Sequence, residues 1–76
     1  MQVNYSTDRY IMEAFVERMI EEKRQLDEKI DKLNNFLFSD KAKVLSAFEH
    51  SLLLRQYNAM DEYRYVLGIR IKMHTE

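Results

Sequence analysis

Met12–Leu37 reads MEAFVERMIEEKRQLDEKIDKLNNFL, and its apolar residues recur at the 3.5-residue period of a coiled-coil seam. Val16, Ile30 and Leu37 fall on one line of the heptad; Met12, Met19, Leu26 and Leu33 fall on the other. That is the a/d seam of a long helix packed against other helices. One position breaks it. Lys23 takes an a slot between Met19 and Leu26, where an ammonium group has no apolar reason to be. Such a lysine can snorkel along the seam, or fix register and subunit number. It can also meet an anion.

The composition agrees with helices and little else. The 76 residues make one domain, near the size at which a single core barely holds a fold, and no cysteine is present to staple it. With no proline and a single glycine, Gly68, the turn vocabulary of a β-protein is missing. Charged residues make up 33% of the chain, the profile of elongated helices, so the expected class is all-α. A net charge of −1 offers no global basic surface, which disfavours a nucleic acid polymer as partner. No apolar run approaches the ~18 residues of a membrane span. The start, MQVNYSTDRY, has neither the basic residues nor the apolar core of a signal peptide, so a cytosolic protein with no membrane partner is expected.

In chain order, residues 1–7 are polar and aperiodic and read as an N-terminal arm, with Ser6, Thr7 or Asp8 able to cap the helix that follows. The first helix is expected over about 8–38 and is ended by Ser39-Asp40, and Asp40–Leu45 reads as a short helical turn. Charge pairs such as Lys23/Asp27, Glu28/Lys32 and Asp27/Asp31 read as decoration of its outer faces. Ser46-Ala47-Phe48-Glu49 matches a capping box ahead of an apolar run, so a second helix is expected over about 46–73. Its apolar residues form two adjoining lines, one of Leu53, Tyr57, Met60, Leu67 and Ile71, the other of Leu52, Ala59, Tyr63, Val66 and Met73. One antiparallel partner cannot cover both. The short connection predicts a two-helix hairpin, and the surplus apolar surface predicts a homo-oligomer.

No catalytic constellation stands out, and the expected answer to whether this is an enzyme is no. His50 and His74 are too far apart on one helix to cooperate, Glu49 and His50 point apart, and no glycine-rich loop exists. Neither a metal nor a cofactor is expected. A different set is suggestive: Lys23, Arg9, Tyr5 and Tyr10 supply cations for phosphate and flat rings for a base. The second helix adds Arg55, Arg64 and Arg70, of which Arg64 and Arg70 fall on otherwise apolar lines. Tyr57, Tyr63 and Tyr65, at helical spacing, read as core or rim, and Arg55 taken alone reads as solvated. Thirteen residues of continuous helix separate Tyr10 from Lys23 by about 20 Å. A ligand touching both takes them from different protomers, or the N-terminal arm folds back.

Over residues 15–73 the chain resembles the small phage-encoded helical-hairpin proteins whose domain is shared by the anti-CBASS and anti-Thoeris cyclic-nucleotide sponges. The residues that carry the likeness are Glu17-Arg18-Met19-Ile20-Glu21-Glu22-Lys23, Leu26 to Leu33 and Phe36-Leu37, then Leu53-Leu54-Arg55-Gln56, Ala59-Met60, Tyr63, Leu67 and Arg70-Ile71. The resemblance implies a compact homo-oligomer, a hexamer in the characterised sponges, that sequesters cyclic nucleotide signals in the infected bacterial cytoplasm without cleaving them. It implies that Lys23 meets phosphate, that an upstream aromatic (Tyr10 or Tyr5) stacks on the base, and that Arg55 serves a second, larger cyclic-oligonucleotide pocket. The alternative expectation is a structural or regulatory oligomer that binds a protein partner through the apolar stripe of the second helix.

Overall fold

The computed structural model describes the backbone over residues 5–75 and side chains over residues 12–75. Helix α1 spans Tyr5–Leu37, a 3₁₀ turn spans Asp40–Val44, and helix α2 spans Ala47–Thr75. The fold is all-helical, two long helices packed antiparallel as a hairpin, with Phe15 near the start of α1 meeting His74 near the end of α2. Helical backbone already begins at Tyr5, so Ser6, Thr7 and Asp8 lie in the first turn and not at its cap.

The two helices are separated by local polar chemistry. Ser39 directs both its backbone N–H (3.0 Å) and its hydroxyl (2.6 Å) at the Phe36 carbonyl, which closes the last turn of α1. The 3₁₀ turn then tucks Ala42 into the core. At the start of α2 the Ser46 Oγ accepts from the Glu49 N–H at 3.1 Å, satisfying one of the donors a helix start leaves open.

The core follows the seam. Met19 and Ile30 of α1, Ala42 of the turn and Leu67 of α2 are buried, and Val16, Leu26, Leu33 and Leu37 are half-buried around them. From α2 the line Leu53, Tyr57, Met60, Leu67 and Ile71 faces α1, while Leu52, Ala59, Tyr63, Val66 and Met73 form an exposed line beside it. Met12 departs from the seam reading: the Phe15–His74 contact marks where α2 runs out, and Met12 beyond it is exposed.

The hairpin measures 63 × 18 × 16 Å and has a radius of gyration of 18.1 Å, against about 11 Å for a compact domain of this length. Its accessible surface is 6487 Å², where a compact monomer of 9.3 kDa exposes roughly 5,000 Å². Much of the surplus is apolar: Phe38, Val44, Phe48, Tyr65 and Met73 are each exposed by well over half.

On the solvent side of α1, Arg24 reaches Glu21 at 2.6 Å and Glu28 at 2.5 Å. The hydrogen bond from Arg24 holds the Glu21 carboxyl below its ordinary range. This pair sits in open water and contributes little to stability.

Candidate functional site

Helix α1 delivers Lys23 to the seam one turn after Met19, and α2 delivers Arg64 to the matching place between Met60 and Leu67. Among the described residues each is the one cation on an inward apolar line, and both are half-buried, with side-chain exposures of 36% and 32%. Two facing cations in a seam repel unless something stands between them. Asp27 does. Its Oδ2 accepts from Lys23 Nζ at 3.1 Å, and its Oδ1 pairs with Arg64 Nη1 across the hairpin at 3.4 Å. The Lys23/Asp27 pair is therefore no outer-face decoration, as its spacing suggests, but the middle of an interhelical cluster. Arg64 also donates to Asp61 at 2.5 Å, and that bond chiefly raises its pKa above the ordinary guanidinium value.

The same residues wall an open groove of about 660 Å³, within the range of small-ligand sites, whose rim adds Glu62, Tyr65, Ile69 and Lys72. Its floor includes Gly68. A Cβ built on Gly68 would lie 3.7 Å from the Cε of Lys23, so the lysine stem crosses α2 at the one residue without a side chain. That contact is ordinary, and glycine inside a helix costs roughly 1 kcal/mol relative to alanine. Gly68→Ala is therefore expected to raise the thermal midpoint of the free protein by up to about 4–8 °C. A lowered midpoint in a thermal melt would show that the lysine stem needs more room than this geometry gives it.

A model of the Sequestin family matches residues 13–73, which takes in both seam lines, Lys23, Asp27 and Arg64. The chain belongs to the Sequestin family. The family name denotes sequestration, which points to binding in preference to catalysis. No curated protein and no solved structure matches this chain.

Of the residues singled out in the sequence, Lys23 and Arg64 line the groove, and Arg55 and Arg70 do not. Arg55 is exposed, nine positions before Arg64, or about 13 Å along the helix, and does not line the groove. Arg70 sits 5.6 Å over the Phe15 ring, which His74 meets edge-on at 5.9 Å, so it helps to close the open end of the hairpin. The side chains of Tyr5, Arg9 and Tyr10 lie outside the described residues. Their backbone is helical and continuous with that of Lys23, so the arm does not fold back from Tyr5 onward, and Tyr10 stays about 20 Å from Lys23 along one chain.

The groove instead brings in Arg64, Asp27 and Tyr65. Arg64 was legible as a cation on an apolar line; that it faces Lys23 depends on interhelical register. Tyr65, 65% exposed, is the aromatic residue that lines the groove along with Lys23. Tyr63, on the outer line, donates its hydroxyl to Glu22 and so ties the two helices at their edge. Among the described residues no cluster of histidine and carboxylates could hold a metal ion, and no helix is long and apolar enough to cross a membrane.

Proposed function

We propose that this protein binds and sequesters host cyclic nucleotide defence signals (cyclic di- or oligonucleotides or cyclic ADP-ribose-type molecules) without cleaving them, as a phage immune-evasion sponge in the cytoplasm of the infected bacterium. The observation that carries this reading is the convergence of one half-buried cation from each helix, Lys23 and Arg64, on one groove of ligand size. Phosphate is the natural guest of such a pair. The ammonium offers a point charge, the guanidinium a planar fork, and charge-assisted hydrogen bonds are the strong ones in a partly dry site. Membership of a family named for sequestration supports holding over turnover.

A single hairpin does not enclose the ligand. The groove is open, and Tyr10, Tyr5 and Arg9 lie at the far end of the helix that carries Lys23. In this reading a second protomer brings one of those rings over the base, with Arg9 or Arg55 assisting at the phosphates, and the site lies at a subunit interface of a homohexamer. The exposed line Leu52, Ala59, Tyr63, Val66 and Met73 supplies the apolar surface such an assembly buries.

That same stripe favours a second reading, an oligomer that docks a protein partner and takes no small ligand. Thermal melts with a panel of cyclic di- and trinucleotides and cyclic ADP-ribose isomers separate the two. A ligand bound only by the folded state at 100 times its Kd adds about 2.7 kcal/mol, a shift of many degrees in a domain this small. No shift with any of the panel favours the protein-binding reading.

A further inference from the structure

The groove is electrically balanced. Lys23, Arg64 and Lys72 face Asp27, Asp61 and Glu62, so a small anion arriving there finds no net positive field. Asp27 holds the central place: it is half-buried, its two oxygens divide between the two cations at 3.1 and 3.4 Å, and those cations come from different helices. That is the arrangement two oxygens of one phosphate would adopt on the same pair. We propose that Asp27 is a specificity-determining residue, an internal anion that occupies the Lys23–Arg64 pair and excludes free phosphates. The inference rests on the reading of this groove as the phosphate site of a sequestered ligand.

The physical consequence concerns discrimination. A phosphate that displaces Asp27 gives up one set of charge-assisted bonds to make another, so it gains less than it would on an open cation pair. A bare phosphate or pyrophosphate has nothing further to offer and is refused. A ligand that also stacks bases and fills the groove adds those contacts to what its phosphate retains. Selectivity thus comes from an element that works against the wrong partner as well as one that favours the right one.

Inorganic pyrophosphate is the probe, because its response does not depend on which nucleotide the protein holds. Wild type, Asp27→Asn and Asp27→Ser are melted in millimolar sodium pyrophosphate and in sodium chloride of matched ionic strength. Both variants should gain several degrees in pyrophosphate over chloride while wild type gains none, and adding Arg64→Gln to either should abolish the gain. Pyrophosphate carries about three charges near neutral pH and each phosphodiester of a cyclic dinucleotide one, so removing the Asp27 carboxylate relieves pyrophosphate more, and the preference for a cyclic dinucleotide that wild type binds should fall about tenfold in Asp27→Asn. Equal pyrophosphate responses in wild type and variants, or a fall in midpoint that pyrophosphate does not restore, would make Asp27 a plain structural tie and overturn the proposal. If wild type retains no cyclic nucleotide while the variants still gain in pyrophosphate, the cyclic nucleotide reading falls and the role of Asp27 stands.

Discussion

Lys23→Met abolishes ligand retention while the assembly persists: that is the expected result with the largest functional effect. A charge-assisted hydrogen bond to phosphate is worth about 1.5–3 kcal/mol, so its loss lowers affinity by roughly 10- to 150-fold. The fold should not suffer. Methionine fills an a position with an unbranched apolar chain, and Asp27 keeps Arg64 as its partner and is not left as an unpaired charge. The Lys23–Asp27 pair is about one-third exposed on each side and contributes only a few tenths of a kcal/mol. The midpoint without ligand should therefore hold or rise. If Lys23 is only a register device, the same swap changes the subunit number, read by light scattering, and leaves any ligand binding intact.

The second large effect separates two neighbouring residues that point in opposite directions. Leu67 is 1% exposed in the hairpin and Val66 is 44% exposed. Leu67→Ala opens a cavity between the helices and is expected to cost about 2–5 kcal/mol, a large share of the roughly 5–15 kcal/mol that holds a domain together. Helical circular dichroism should fall or melt at much lower temperature. Val66→Glu lies on the exposed line of the single hairpin and, for an isolated chain, is expected to change stability by about 0.5 kcal/mol. In the proposed assembly it places a carboxylate in an apolar contact, so the mass by light scattering should drop towards that of one or two hairpins. An unchanged mass and midpoint would remove the α2 stripe from the subunit interface.

These expectations also show what the sequence could and could not convey. The seam of α1 was legible because heptad periodicity is a property of one helix, and Met19, Ile30 and Leu67 are buried where their lines place them. The start of α2 was legible because a capping box is local: a serine and the amide three residues on meet whatever the rest of the chain does. The two lines of α2 were readable as one too many for a single partner, and the structure leaves the second exposed.

The cluster around Asp27 was hidden for a different reason. An i,i+4 spacing says that Lys23 and Asp27 are neighbours on a helix, yet not which way they face relative to another helix. Interhelical register alone brings Arg64 to Asp27 and Lys23 to Gly68. The start of α1 was misplaced because Ser6, Thr7 and Asp8 are all competent caps, and capping preference does not forbid such residues in a first turn. Met12 fits the heptad but lies past the end of the partner helix, which periodicity cannot report.

Retention of intact ligand by the purified protein tests the central claim most directly. Wild type and Lys23→Met are each mixed with an equimolar cyclic nucleotide chosen from the thermal panel and separated from free ligand by filtration. The retained fraction is then denatured, and the released nucleotide is identified by mass. Wild type should release the unaltered cyclic molecule in fixed proportion to protein, and Lys23→Met should release almost none. Ligand passing freely through the filter with wild type, equal retention by both proteins, or recovery of a linearised product would contradict a lysine-anchored sponge.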